Sequence, residues 1–251
     1  MVDFVGAGCG AADLITVRGM RLIQNADVII YAGSLVNPEL TEYAKASCKI
    51  CNSAYMTLDE VIEVMEKAEA AGKNTVRLHT GDPSLYGAIR EQTDRLDKLG
   101  IEYKICPGVS SFCGAAAALK AEYTLPEISQ SVIITRMAGR TPVPEKESIE
   151  SLAAHGASMV IFLSAGMTSE VSERLQKGGY SAETPAALVY KATWEDEKVC
   201  RCTVGTLAET AEKNGINKTA LIVVGDFLGE NRFLSKLYDP NFETGYRKAK
   251  K

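Results

Sequence analysis

A glycine-rich loop near the N-terminus is the first segment whose residue types and spacing could do chemistry. Residues 6–11 read G-A-G-C-G-A and follow a short apolar run typical of a strand. In that context the pattern G-x-G-x-x-G/A is typical of a loop that binds a dinucleotide pyrophosphate. Two features oppose that function. Thr16 is the first good helix N-cap, so no helix opens directly from the loop, and Asp27 lies at the start of the second strand rather than at its end. A dinucleotide site and a tight turn without a ligand both remain open at this point.

Cysteine and histidine are the residues that could hold a metal ion. The chain has seven cysteines and two histidines. Cys48 and Cys51 have the spacing of half a zinc site, but Cys200 and Cys202 are too close in sequence to supply the other half. We therefore expect no metal, and we expect reduced thiols in buried or half-buried strands. Neither histidine lies in a pattern that predicts a nucleophilic triad.

Composition excludes several classes of protein. The chain has 251 residues, of which 46% are hydrophobic and 24% charged, and its formal net charge is −4. This balance is typical of a soluble globular protein and gives no general affinity for nucleic acid. The longest apolar runs are too short to span a bilayer, and the N-terminus shows no secretory signal. We expect a cytoplasmic protein that binds neither nucleic acid nor membranes.

The elements that position these loops alternate between short β runs and helical stretches, which indicates an α/β fold with a largely parallel sheet. We predict a domain boundary near residues 109–111, with an N-terminal α/β domain at 1–109 and a C-terminal α/β domain at 110–251. Helices are predicted near residues 168–177 and 206–214. Strands are predicted at residues 2–6, 27–31, 75–79, 103–106, 131–136, 158–163, 186–190, 198–203 and 220–225.

Two further helix starts are predicted from capping signals. Thr57 and Glu60 form a capping box before a helix that stops at Gly72. Asp82 followed by Pro83 is typical of an N-cap with proline at the first helical position. Asp82 also follows a predicted strand, so it lies where α/β sheets usually bind ligands.

The glycine loop also resembles a known family motif. Residues 6–16 resemble the opening motif of the tetrapyrrole methylase superfamily, G-x-G-P-G-D-x-x-L-I/L-T, with Cys9 in place of the proline and Ala11 in place of the aspartate. Further segments, in matching order, are similar to loops of the members that methylate carbon 11 of precorrin-4 or its cobalt complex. They are residues 31–36, 80–87, 107–111, 140–145, 190–194 and 235–240. The resemblance covers essentially the whole chain.

The resemblance implies the tetrapyrrole methylase fold, with two α/β domains and a cleft between them, and a homodimer. It implies transfer of a methyl group from S-adenosylmethionine to carbon 11 of a small-molecule corrinoid substrate, (cobalt-)precorrin-4, in cobalamin biosynthesis. The cofactor positions that it implies are Cys9, Thr80, Gly81, Asp82, Leu85, Ser110, Ser111, Leu163, Ala192 and Ala220. From hydrophobic periodicity alone, Leu163 and Ala220 would be core residues.

A precorrin carries many carboxylates, so an acidic chain needs local cations or amide donors to bind it. The candidate substrate-binding residues are Ser34, Arg136, Arg140 and Lys191. Arg140 is the strongest, because Pro142 and Pro144 stiffen the loop that presents it. Arg77 is expected to be only a solvated surface residue. No general base is predicted.

Three alternatives to carbon-11 methylation remain. One is a sister methylase that acts on another carbon of the macrocycle or on uroporphyrinogen. The second is a dinucleotide-dependent oxidoreductase, which the position of Asp27 disfavours. The third is a non-catalytic binding module, which would not need so many ligand-binding loops.

Overall fold

The computed structural model describes residues 1–33, 35–230 and 235–249. The chain divides into two compact units. The first unit comprises Met1–Ala115 and Lys191–Glu197, and the second comprises Ala116–Tyr190 and Lys198–Lys251. The domain boundary expected near residues 109–111 stays a prediction.

The first unit is built on a five-stranded sheet in the order β3-β2-β4-β1-β5, and every neighbouring pair in it is parallel. Four of its strands are confirmed where the sequence predicts them. The edge strand β3 was not predicted, because half of its residues are exposed and it lacks a clear apolar pattern. The strands are β1 (Val2–Gly6), β2 (Val28–Tyr31), β3 (Lys49–Asn52), β4 (Thr75–His79) and β5 (Tyr103–Cys106).

Helices cover both faces of this sheet. Helix α1 (Val17–Asn25) packs on one face, and helices α2 (Leu58–Ala70) and α3 (Arg90–Leu99) pack on the other. Because successive strand residues point to opposite faces, Ile29 lies in the α1 core while Ile30 lies in the α2 and α3 core. Both faces of a central strand are therefore buried, as is usual for parallel sheets. The capping box that begins α2 at Thr57 is confirmed.

Arg77 lies on the central strand β4, and its expected exposure is wrong. Its side chain is 7% exposed. Its Nε donates a hydrogen bond to Gln92 Oε1 at 3.0 Å, and its Nη1 donates to the Ile30 carbonyl oxygen at 3.1 Å. Burial lowers the pKa of Arg77 to about 10, so the guanidinium stays charged at neutral pH. A long charged side chain usually reaches solvent, but the middle of a strand covered on both faces offers no such route.

The second unit contains a mixed five-stranded sheet in the order β6-β7-β10-β8-β9. Only β6 and β7 pair in parallel, so the expectation of a largely parallel sheet holds for the first unit and is wrong for the second. The short Lys191–Glu197 connection explains part of this, because parallel neighbours need a long crossover. The strands are β6 (Val132–Arg136), β7 (Ser158–Phe162), β8 (Pro185–Tyr190), β9 (Lys198–Thr203) and β10 (Ala220–Val224).

The remaining helices are short. The predicted helices α6 (Thr168–Lys177) and α7 (Leu207–Lys213) are confirmed, and α5 (Ile149–Ala153) was not predicted. Helix α4 (Ser111–Leu119) follows β5. Short 3-10 helices lie at Ala12–Leu14, Pro38–Tyr43, Ser53–Tyr55, Glu145–Glu147, Ala165–Met167, Asp226–Leu228 and Lys236–Tyr238. In the described ranges, no helix has the length and apolar character needed to cross a membrane.

Candidate functional site

Three loops meet at the carboxyl edge of the first sheet, where the parallel strands β1, β4 and β5 end. A Cβ added to Gly6 would lie 2.6 Å from both the Gly81 carbonyl oxygen and Gly108 Cα. A Cβ added to Gly108 would lie 2.2 Å from the same carbonyl oxygen. Gly81 N also donates to the Gly8 carbonyl oxygen at 2.8 Å. Only residues without a side chain permit this approach of three backbones.

The Asp82 carboxylate ties two of these loops together. Its Oδ1 accepts hydrogen bonds from Ser84 N at 2.8 Å and from the Ser84 hydroxyl, and its Oδ2 accepts from Gly108 N at 2.8 Å. Burial raises the pKa of this carboxyl, but the hydrogen bonds from Ser84 and Gly108 outweigh it and hold the pKa below its ordinary value. The Asp82 carboxylate is therefore ionised at neutral pH.

Asp82 does not begin a helix, so the predicted N-cap is wrong. The residues after it form a turn, closed by Leu85 N donating to the Asp82 carbonyl oxygen at 3.2 Å, and α3 begins only at Arg90. An aspartate that accepts from the backbone two residues later makes an Asx turn, and Asp-Pro is a common signal for both structures. Leu85, a candidate cofactor residue, is half-buried in this turn.

Two buried polar atoms next to Gly81 have no hydrogen-bond partner among the described residues. They are the Thr80 hydroxyl oxygen and His79 Nε2. Burial, and then the charge of Arg77, lower the pKa of His79 to about 3, so its imidazole is neutral. Because buried polar atoms are almost always paired, the Thr80 hydroxyl is available to a bound molecule.

Ser110 and Ser111 lie beside the same loop. An added Cβ on Gly81 would lie 3.4 Å from Ser110 Cα and from Ser111 N. The Ser110 carbonyl oxygen accepts from Cys113 N at 3.0 Å, so α4 starts at this contact. The structure thus brings Thr80, Gly81, Asp82, Ser110 and Ser111 together in the first unit.

The connection between β8 and β9, Lys191–Glu197, covers the glycine loop and is called the β8–β9 loop below. Ala11 N donates to Thr193 Oγ1 at 3.0 Å, and this hydroxyl lies 3.6 Å from Cys9 Sγ. A Cβ on Gly10 would lie 2.4 Å from Trp194 Cδ1. From another direction, Asn37 Nδ2 donates to the Gly10 carbonyl oxygen at 3.1 Å. The glycine loop is therefore fixed by two side chains as well as by its own backbone.

Sequence reasoning missed the roles of Asn37 and Thr193. Asn37 precedes Pro38, a signal for a capped turn, and its amide oxygen does accept from Glu39 N at 3.1 Å. Nothing in the sequence indicates that its amide nitrogen reaches Gly10. Thr193 lies within a segment that resembles the family, but its bond to Ala11 joins residues far apart in the chain.

The β8–β9 loop contains two of the predicted site residues. Ala192 is buried next to Gly10, whose added Cβ would lie 2.5 Å from the Ala192 carbonyl oxygen. Lys191 Nζ pairs with Asp196 Oδ2 at 2.6 Å and lies 5.4 Å from the centroid of a Trp194 ring. The charge of Lys191 is thus balanced within its own loop.

In the second unit, predicted site residues lie along one edge of the sheet. Arg136 pairs in register with Phe162, the residue before Leu163, and Ala220 begins β10 two residues before Ile222, which pairs with Ile161. Leu163 is 63% exposed and its φ is +54°. The core position expected for Leu163 from periodicity is therefore wrong, whereas Ala220 is buried as expected.

The two arginines of this unit differ in their partners. The Arg136 guanidinium donates to three carbonyl oxygens of the following loop, those of Met137 at 3.3 Å, Thr141 at 3.2 Å and Pro142 at 2.7 Å. It therefore clamps the loop that bears Arg140. The exposed Arg140 guanidinium makes no hydrogen bond or ion pair with any residue that the structure describes. Ser34, the remaining substrate-binding candidate, lies outside the described residues.

Possible metal ligands do not cluster in the described ranges. No group of three or more His, Cys, Asp or Glu side chains there could hold a metal ion. All seven cysteines are free thiols. Cys48 directly precedes β3, and Cys51 lies within it.

The amino-acid sequence was compared with models of known protein families. A model of the tetrapyrrole (corrin/porphyrin) methylases matches residues 1–208. The chain belongs to this family. The family predicted from the opening motif is therefore confirmed, and so are the α/β class and the tetrapyrrole methylase fold.

Individual proteins show how similar this tetrapyrrole methylase is to known members. It is 57% identical over 251 residues to a cobalt-precorrin-4 C(11)-methyltransferase of Methanocaldococcus jannaschii, covering 100% of this chain and 97% of the relative. An X-ray structure of a cobalt-precorrin-4 methyltransferase matches with a TM-score of 0.89 and 45% identity, over 90% of this chain and 95% of that one. A Thermus thermophilus uroporphyrin-III C-methyltransferase complexed with S-adenosylhomocysteine shares the fold, with a TM-score of 0.75 and 21% identity over 91% and 93% of the chains.

Gly10→Ala should displace the β8–β9 loop of this methylase, because the added methyl group would overlap the Trp194 ring and the Ala192 carbonyl oxygen. We expect the free energy of unfolding to fall by about 1–3 kcal/mol. Trp194 is the only tryptophan in the chain, so its fluorescence emission should shift to longer wavelength as the ring meets water. Gly139→Ala is the control, since its methyl group would make an ordinary 3.5 Å contact with Met167. Unchanged emission and stability in Gly10→Ala would contradict this packing.

Asp82→Asn should destabilise the protein in a pH-dependent way. An amide cannot accept all the bonds that the carboxylate accepts, and an unpaired Gly108 N–H costs about 1–3 kcal/mol. The folded-state pKa of Asp82 lies below the ordinary value of about 3.9, so its stabilising effect is present above that value and is lost as the pH falls through the folded-state pKa.

Urea unfolding at neutral and acidic pH measures this effect. The difference between wild type and Asp82→Asn should be largest at neutral pH and should narrow below pH about 4. The exposed Asp13→Asn is the control, and it should change the free energy of unfolding little at neutral pH. A constant Asp82→Asn difference across the range would show that the carboxylate charge does not join the loops.

Proposed function

We propose that this tetrapyrrole methylase transfers a methyl group from S-adenosylmethionine to carbon 11 of precorrin-4, in its cobalt-bound form, in cobalamin biosynthesis. One observation supports this above all others: the relative that is 57% identical over the whole chain has that activity in its name. The segments that resemble carbon-11 methylases, residues 140–145 and 190–194, agree with it. A sister methylase that acts on another carbon is the second candidate.

The first unit has features that fit S-adenosylmethionine. Cys9, Thr80, Gly81, Asp82, Leu85, Ser110, Ser111 and Ala192 are the residues of this unit that we propose to hold it. The buried Thr80 hydroxyl lacks a partner in the described residues, and Gly81 has no side chain to keep a ligand away from the backbone. Asp82 contributes mainly by fixing the loop, since both carboxylate oxygens already accept hydrogen bonds. Leu163 and Ala220 of the second unit are proposed as cofactor positions from the resemblance.

When bound, S-adenosylmethionine supplies a methyl group on a positively charged sulfur, and this group passes to the carbon nucleophile as the methyl–sulfur bond breaks. The task of the chain is then to hold the donor and the acceptor in line and to exclude water. The fixed loops at Gly6, Gly81 and Gly108 suit that task, because a rigid backbone positions a ligand without reorganising.

Arg140 is the proposed contact for a substrate carboxylate. Arg136 already donates to its own loop and Lys191 is paired with Asp196, so these two cations have less capacity for a further anion. Arg140 makes no such contact in the described residues, and Arg136 fixes the loop that presents it. Ser34, the cytoplasmic location and the homodimer remain predictions from the sequence.

The proposal is tested first by ligand binding and then by product analysis. S-adenosylhomocysteine should raise the melting temperature, with a stabilisation of about 2.7 kcal/mol at a hundredfold excess over its dissociation constant, and NADP should not. Incubation with S-adenosylmethionine and cobalt-precorrin-4 should add one methyl group, detected by mass spectrometry, and NMR should place it on carbon 11. A shift with NADP alone would favour an oxidoreductase, and a methyl group on another carbon would favour a sister methylase.

Arg140→Ala should separate substrate binding from cofactor binding. Loss of a charge-assisted bond to a carboxylate should weaken corrinoid binding by roughly 1.5–3 kcal/mol and leave S-adenosylhomocysteine affinity nearly unchanged. Lys146→Ala, which removes another exposed cation nearby in the sequence, is the control and should change neither affinity. Calorimetry with both ligands measures the two effects. Equal loss of cofactor affinity in Arg140→Ala and Asp82→Ala would contradict the separation.

A further inference from the structure

A buried arginine without an acidic partner lies under the proposed cofactor loop. Arg77 is 7% exposed, and no carboxylate among the described residues forms an ion pair with it. Its neighbours are neutral acceptors, the side-chain oxygen of Gln92 and the carbonyl oxygen of Ile30. Keeping a desolvated cation with neutral partners costs free energy, which an apolar side chain at this position would avoid.

Arg77 determines which way the Gln92 amide faces. A guanidinium can only donate hydrogen bonds, so Gln92 must turn its oxygen towards Arg77. The amide nitrogen then faces the opposite way, where Nε2 donates to the Ala88 carbonyl oxygen at 3.0 Å. Gln92 is itself 5% exposed, and its bond to Arg77 is buried. The charge on β4 thereby fixes a hydrogen bond to the loop after Asp82.

The backbone of the loop after Asp82, residues 82–88, is strained and must be stabilised by contacts with its surroundings. Tyr86 and Ala88 have φ values of +55° and +48°, a region that costs residues with a side chain roughly 1–2 kcal/mol each. Between them the chain folds back so tightly that a Cβ on Gly87 would lie 2.3 Å from the Pro83 carbonyl oxygen. A strained backbone conformation persists only where surrounding contacts stabilise it. The hydrogen bond from Gln92 to the Ala88 carbonyl oxygen is one such contact.

We propose that Arg77 and Gln92 are positioning residues that hold the 82–88 loop in the conformation that binds the cofactor. The inference rests on the proposed function, because it assumes that this loop binds S-adenosylmethionine. Both side chains act through the backbone of the loop. Arg77 orients Gln92, Gln92 holds Ala88, and the backbone from Asp82 onward keeps its shape.

Gln92→Glu separates this role from packing. The carboxylate would still accept from Arg77, as an ion pair, so the core keeps its contact and the fold is retained. The same carboxylate has no proton to donate to the Ala88 carbonyl oxygen, and two acceptors would then face each other. Gln92→Leu is the second variant, since it removes both bonds without adding a charge. Thr93→Val is the matched control, because Thr93 is also buried on α3 and, among the described residues, its hydroxyl donates to the Arg90 carbonyl oxygen alone.

We would measure melting temperature, the S-adenosylhomocysteine dissociation constant and amide hydrogen exchange in residues 82–89. Gln92→Glu should melt close to wild type, because the new ion pair with Arg77 offsets the lost bond to Ala88. Its dissociation constant should rise about tenfold, because the loop must be returned to its binding conformation without that bond. Exchange of the loop amides should become faster in both Gln92 variants. Thr93→Val should leave the dissociation constant and the exchange of this loop unchanged.

The outcomes distinguish this inference from the proposed function. If wild type binds S-adenosylhomocysteine and both Gln92 variants bind it equally well, the positioning role is wrong and the proposed function stands. If wild type does not bind it, the proposed function is overturned, and the cofactor part of this inference with it. A purely structural role would lower the melting temperature of Gln92→Leu and Thr93→Val alike and would leave the affinity of both unchanged.

Discussion

The backbones of three loops touch one another at Gly6, Gly81 and Gly108, and the strands of the first unit bring these loops to one edge of the sheet. Parallel pairing brings the ends of β1, β4 and β5 to one edge, but it does not bring the loops into contact. Contact requires the absence of three side chains, and the Asp82 carboxylate then holds two of the loops together. The result is a preformed surface of backbone groups, which suits a reaction whose main demand is alignment.

Three cations of this acidic chain make structural contacts. Arg77 lies in the core beneath a loop, Arg136 holds three carbonyl oxygens of its own loop, and Lys191 pairs with Asp196. Arg136 and Lys191, both candidates for binding a substrate carboxylate, thus bond within their own loops instead. Arg140 is the contrasting case, an exposed guanidinium on a loop that another arginine has stiffened. In the proposed contact with a substrate carboxylate, the entropy cost of ordering this loop is reduced by Arg136.

What the sequence predicts well is what depends on neighbouring residues. The apolar runs of the buried strands and the capping box at Thr57 are local signals, and they placed β1, β2, β4, β5 and α2 correctly. The errors concern residues whose environment is set by distant parts of the chain. Leu163 has an apolar side chain but follows β7 as an exposed residue at a positive φ, and Arg77 is charged but lies in the core between two helix layers. Asp82 shows a different reason for error in prediction from sequence. The same local signal, Asp-Pro, occurs both at helix N-caps and in Asx turns.

The loop that covers the glycine motif comes from far along the chain. Residues 1–115 contain every strand of the first sheet, yet the compact unit also needs Lys191–Glu197, and Thr193 bonds to Ala11 across 182 positions. During synthesis on the ribosome, the first sheet can therefore form long before the residues that close its glycine loop have been made. A fragment that ends at residue 115 would leave Ala11 N without the Thr193 acceptor. The unit is thus completed late, after most of the chain has emerged, and the cofactor site that we propose there is complete only then.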